Sequence, residues 1–250
     1  MRIVNTYKLT ERPFEIPEEQ IKTTFVPNKQ QMGVRFPNIL ISAPKNSGKT
    51  TILFNMVKNF LIDMNNRVKI IIFSPSLEKD KALITLVNYL INNQIPFMTK
   101  PYIVETLLDG SKINHLEKLN HYLNVRNDES QELLIIYDDL TDADLRKAEL
   151  FSLIRRNRHV RTTNIICSQS LKSVRPDVIQ NIDIFLLMHG LNSISILSLA
   201  QKINITLSKE DFLELYKRVT KEKYSFLWLD VQNGIFKYKF NVILEIEEGD

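Results

Sequence analysis

The chain has 250 residues, of which 44% are hydrophobic and 25% charged, with 33 Lys+Arg against 29 Asp+Glu and a net charge of +4. This composition excludes wholesale disorder, and no apolar run exceeds five residues, far short of the roughly 18 that cross a bilayer. The basic excess permits a nucleic-acid partner without arguing for one, and the lone Cys167 excludes an internal disulfide and a Cys-rich zinc site, which points to a reducing compartment.

Residues 1–37 show no sustained period and hold Pro13, Pro17, Pro27 and Pro37. They read as an extended arm laid on the surface or on a neighbour, and their start has no stretch apolar enough for a secretory signal. Residues 38–250 read as one domain. NILIS (38–42) is a short apolar run that predicts a buried strand. It leads into APKNSGKT (43–50), after which Leu53, Met56, Val57, Phe60 and Leu61 recur at helical spacing. VKIIIFS (68–74) predicts a second strand, and apolar positions from 77 to 95 return to helical spacing. The polar stretch 96–130 suggests a short strand at 102–104 and a helix around 112–123. ELLIIYDDL (132–140) is the third strong strand, followed by a charged helix to about Arg156. TNIICSQ (163–169) and DIFLLMH (183–189) are strand-like, and 193–203 and 208–219 are helical in pattern. In 224–240 two strands flank an Asn-Gly turn, a hairpin signal. This alternation predicts an α/β fold: a mainly parallel sheet covered on both faces, with a C-terminal β-hairpin.

Chemistry concentrates at three places. APKNSGKT fits the phosphate-binding loop G-x-x-x-x-G-K-[ST], with Ala43 in place of the first glycine. Such a loop turns its backbone N–H groups toward phosphates at a helix N-terminus. The nucleotide-binding residues are therefore Pro44, Lys45, Asn46, Ser47, Gly48, Lys49, Thr50 and Thr51. Lys49 supplies the cation and Thr50 a hydroxyl for Mg²⁺. The strand at 132–138 ends in Asp138 and Asp139. Asp138 is assigned to the metal and Asp139 to the attacking water as general base. Gln169 ends another strand, where its amide can touch both the γ-phosphate and the water; alone it would read as a loop residue. Between 151 and 176 there is no acid, while Arg155, Arg156, Arg158, Arg161, Lys172 and Arg175 are cationic. A solvated basic face is the plain explanation. Lying between the acidic strand and the Gln169 strand, the segment is expected near the nucleotide edge, where an arginine could reach a neighbouring subunit's γ-phosphate or DNA phosphates. The four histidines (115, 121, 159, 189) have no metal spacing, and Cys167 and Trp228 read as core.

In their order, APKNSGKT, LLIIYDD and RRNRHVRTTNIICSQSLKSV, followed by the tail KYSFLWLD and FKYKF, resemble the genome-packaging ATPases of poxviruses, other large DNA viruses and virophages. These belong to the FtsK–HerA branch of ring-forming DNA translocases. The similarity spans roughly residues 36–242. The resemblance implies a RecA-like P-loop (ASCE) fold and a ring of five or six subunits that uses ATP and Mg²⁺ to drive double-stranded DNA through a portal-like vertex into a preformed capsid. It implies Lys49 and Thr50 at the phosphates, Asp138 at the metal, Asp139 at the water and Gln169 as γ-phosphate sensor; the arginine acting in trans has no family match and is taken from the acid-free cationic segment as Arg156 or Arg158. The implied location is the cytoplasmic viral factory of an infected cell, and the virion. Two departures stand out: Ala43 must avoid a left-handed conformation, and Asp139 stands where cellular relatives carry Glu. A ring helicase or a nucleotide-switched assembly factor would share these motifs.

Overall fold

In the computed structural model, residues 2–8, 36–63, 68–126, 132–240 and 242–247 are described. Each apolar run of the sequence becomes a strand buried on both faces: β2 (Asn38–Ser42), β3 (Val68–Phe73), β7 (Glu132–Asp138), β8 (Thr162–Ser168) and β9 (Ile184–Met188). With β4 (Phe97–Lys100) they form a parallel sheet in the order β9-β2-β8-β7-β3-β4. The hairpin β10 (Phe226–Asp230) and β11 (Ile235–Tyr238) extends it antiparallel from β9. β12 (Val242–Glu247) and β1 (Arg2–Lys8) then complete ten strands among the described residues.

Because side chains alternate along a strand, each strand feeds two cores. Ile39 and Ile41 of β2 and Leu134 and Ile136 of β7 face helices α1 (Lys49–Asp63) and α2 (Lys81–Asn92) through Leu53, Met56, Leu83 and Leu86. Leu40, Leu133, Ile135 and Tyr137 face the opposite layer. That layer holds α3 (His115–Val125), α4 (Asp142–Leu145), α5 (Ala148–Arg156), α6 (Pro176–Ile179), α7 (Ser193–Ala200) and α8 (Lys209–Val219). Burying one such aliphatic side chain is worth about 1.5–3 kcal/mol, so these central strands anchor the domain. Cys167 and Trp228 are both core residues, 1% and 3% exposed.

Several expectations shift. The strand expected at 102–104 is replaced by β4 and by a separate small hairpin, β5 (Val104–Thr106) with β6 (Lys112–Asn114). The following helix starts only at His115, because Asn114 caps it by accepting from the N–H groups of Leu116 and Glu117. The charged helix up to Arg156 is two helices, separated at Arg146 and Lys147. Arg2–Lys8 and Val242–Glu247 pair as the outer strands, and neither was singled out in the sequence. The rest of the expected arm, 9–35, lies outside the described residues. No helix among the described residues is long and apolar enough to cross a membrane.

Candidate nucleotide site

All parallel strands end at one edge, and the candidate residues follow those ends. Register brings Ser42 opposite Ser168 and Asp138 opposite Cys167, so the phosphate loop, the acids and Gln169 emerge side by side. β8 lies between the loop strand and the acidic strand, which sets Gln169 between them. Together they line a cleft of about 460 Å³ that takes in residues 44–51, Ser76, Asp80, Lys81, Asp138, Asp139 and Gln169.

The loop is shaped by its backbone. Ala43 is fully buried and has no positive φ; the left-handed positions are Asn46 (φ 62°) and Gly48 (φ 88°). Asn tolerates this region better than most residues, so the alanine departure costs the loop nothing there. Ser47 Oγ donates to the Pro44 carbonyl at 2.6 Å and ties the loop's ends together. A Cβ on Gly48 would stand 3.2 Å from the Tyr224 ring. Tyr224, just before β10, is thus a wall of the loop that the sequence did not announce.

Lys49 Nζ stands 2.9 Å from Asp138 Oδ1, and that oxygen has no directed hydrogen bond besides this cation. Burial works against the charge of Lys49, but the Asp138 and Asp139 carboxylates outweigh it and hold its pKa above the ordinary lysine value. Burial likewise pushes the Asp138 carboxyl up, with Lys49 opposing. The two upward shifts have opposite causes: at Lys49 the neighbouring acids outweigh burial, and at Asp138 burial outweighs the attraction of Lys49. Burial pushes the Cys167 thiol well above its ordinary value, so it is an inert neighbour. Asp139 is exposed, takes φ 55°, and accepts a 3.0 Å hydrogen bond from Gln169 Nε2. The two residues assigned to the water are therefore already joined.

Thr50 Oγ1 donates to Asp80 Oδ2 at 3.2 Å. Asp80 was missed in the sequence, where it falls inside the stretch 77–95 read as helical; α2 starts at Lys81 and Asp80 is its N-cap. Thr50 and Asp138 offer hard oxygen donors to one cleft, and this donor chemistry fits Mg²⁺, which takes one or two protein oxygens beside phosphate oxygens. Among the described residues no group of three or more His, Cys, Asp or Glu could hold a metal.

The expectation that Arg156 and Arg158 lie near the nucleotide edge of their own subunit is overturned. They precede β8, whereas Gln169 follows it, and six steps of strand separate the two edges by about 20 Å. The parallel crossover from β7 through α4 and α5 must return to the opposite edge before β8 can start. There Arg158 pairs with buried Asp183 at 2.8 Å. Arg156 donates to Asn120 and Asn124. Of the six cations in that segment, only Lys172 and Arg175 follow Gln169, and both make backbone contacts with Arg146: Arg146 donates to the Lys172 carbonyl and Arg175 to the Arg146 carbonyl. Arg175 pairs with Asp177 at 2.5 Å.

The family model of the Poxvirus A32 protein matches residues 29–243. The chain belongs to this family. No curated protein matches this A32-family chain in sequence, but solved structures match its fold. The DNA-packaging ATPase B204 from Sulfolobus Turreted Icosahedral Virus is 16% identical, with TM-score 0.57 over 86% of this chain and 99% of its own. The genome packaging NTPase B204 from Sulfolobus turreted icosahedral virus 2, in complex with AMP, is 16% identical, with TM-score 0.55 over 81% and 96%. Thermomonospora curvata EccC (ATPases 2 and 3), 12% identical, gives a TM-score of 0.52 over 86% of this chain and 37% of its own. At these identities the likeness concerns the fold.

Proposed function

We propose that this A32-family protein is a viral genome-packaging ATPase: it hydrolyses ATP to drive double-stranded DNA into a capsid. The observation that carries it is the convergence of Lys49, Thr50, Asp138, Asp139 and Gln169 on one cleft at one sheet edge. Lys49 and the loop N–H groups would hold the β- and γ-phosphates, and Gln169 would read the γ-phosphate. Thr50 and Asp138 would hold Mg²⁺, which neutralises charge developing on the phosphates. Asp139, steered by Gln169, takes the proton of the attacking water.

The working unit is a ring of five or six subunits at a portal-like capsid vertex, in the cytoplasmic viral factory. A ring interface joins two different surfaces of the subunit, so a trans-acting arginine has to come from outside its own nucleotide cleft. Arg158 and Arg156, on the opposite edge, meet that requirement. Arg158 has the freer side chain, half exposed.

The test is the ATPase rate with and without duplex DNA at several protein concentrations. A packaging motor gives continuous turnover that rises with DNA and with assembly. A single turnover with retained ADP would instead identify a switch, and strand separation on forked DNA a helicase.

A further inference from the structure

Asp80 has two oxygens with two different partners. Oδ1 accepts from the N–H groups of Ala82 at 2.8 Å and Leu83 at 3.2 Å, capping α2. Oδ2 is left over from that cap and accepts the Thr50 hydroxyl proton. The cap makes the carboxylate a rigid mount: turning Oδ2 away from Thr50 would carry Oδ1 off the two helix N–H groups. A threonine hydroxyl has one proton and two lone pairs. Because an ionised carboxylate only accepts, its position dictates where that proton goes and leaves both lone pairs for a cation. From this geometry we propose that Asp80 is the positioning residue that orients the Thr50 hydroxyl for Mg²⁺, with the N-terminus of α2 as its mount. This rests on the assignment of Thr50 to the metal.

An asparagine separates the cap from the orientation. Asn caps a helix as well as Asp does, but with its oxygen on the helix N–H groups its amide NH₂ faces Thr50. The hydroxyl must then accept, which spends a lone pair and turns its proton elsewhere. If the amide flips, the cap is lost and the thermal midpoint falls.

The experiment follows binding of a fluorescent non-hydrolysable ATP analogue to the full chain as MgCl₂ is titrated, with thermal melts alongside. Asp80→Asn should raise the Mg²⁺ concentration for half-maximal effect by about tenfold, as loss of a group that orients a metal ligand does. The thermal midpoint should hold, and binding in EDTA should not weaken. Thr50→Val should give a similar shift, and Asp80→Asn in the Thr50→Val background should add nothing, because its effect passes through the hydroxyl. Additive shifts would mean that Asp80 acts by charge alone, and an unchanged Mg²⁺ dependence in Asp80→Asn would mean that it is only a cap; either overturns the proposal. If Thr50→Val itself leaves the Mg²⁺ dependence unchanged, the assignment of Thr50 to the metal fails, and the role of Asp80 falls with it.

Discussion

Lys49 and Asp138 are one ion pair, 2.9 Å apart, in which Asp138 is almost wholly buried. The cation of the phosphate loop and the carboxylate of the acidic strand thus hold each other across β8. Lys49→Met should lower ATP turnover at least about 100-fold, the scale for losing one preorganised charge at a reacting centre, and weaken nucleotide binding. It also strands a buried carboxylate. Thermal melts without nucleotide or metal should therefore show Lys49→Met less stable than Lys49→Met/Asp138→Asn, because the second change removes the orphaned charge. Equal melting points would mean that the pair is not a stabilising unit.

Asp139 and Gln169 form the second couple. Asp139→Asn should bind Mg²⁺ and ATP but hydrolyse slowly, by roughly 10²–10⁴-fold, the usual reach of a general base. Gln169→Ala should lose less, since it leaves Asp139 in place but unsteered. Single-turnover hydrolysis with radiolabelled ATP would measure both. If Asp138→Asn traps ATP while Asp139→Asn stays active, the two acids have exchanged roles.

Gly48 meets two demands at once: a φ of 88° and space for the Tyr224 ring. An alanine there costs about 1–2 kcal/mol from the left-handed backbone alone, and its methyl group would press on Tyr224 at 3.2 Å. Gly48→Ala should lower stability by at least that amount and weaken nucleotide binding. Gly48→Ala/Tyr224→Ala should recover only the steric part. Chemical denaturation of both variants tests this, and full recovery in the double variant would show that the backbone carries no cost.

Arg158 has a structural duty that is separable from any role in a neighbour's site. Burial raises the pKa of Asp183, and the Asn38 N–H and Arg158 only partly offset it. A carboxylate whose pKa rises on folding loses stability as pH climbs through its native value. Arg158→Ala removes one offset and raises that value further. The variant should match the parent near pH 4, close to the ordinary value of 3.8. It should fall behind by about 1 kcal/mol by pH 8, a modest amount because one partner is solvent-exposed. Denaturation midpoints across this range would show it; a deficit that does not change with pH would exclude the linkage to Asp183. At constant pH, mixing the Asp139→Asn and Arg158→Ala proteins tests the trans role. Partial return of ATPase activity is expected if intact Asp139 and intact Arg158 meet across an interface, and no return would leave Arg158 with its structural duty alone.

The sequence alone determined the parts of this protein that depend on near neighbours in the chain. Uninterrupted apolar runs became the doubly buried strands, helical spacing after the phosphate loop became α1, and the Asn-Gly turn became the β10–β11 hairpin. Lys49, Thr50, Asp138, Asp139 and Gln169 were legible because each sits at the end of a strand or the start of a helix, where local pattern and chemistry coincide. The tertiary structure decided what depends on distant partners. Strand order put β8 between β2 and β7, so that Gln169 reaches Asp139. Packing of α2 beside α1 brought Asp80 to Thr50, and docking of the hairpin on β9 brought Tyr224 to Gly48; no local period encodes either contact. The parallel crossover also carried Arg156 and Arg158 to the far edge, because residues before a parallel strand and residues after it are separated by the strand's whole length.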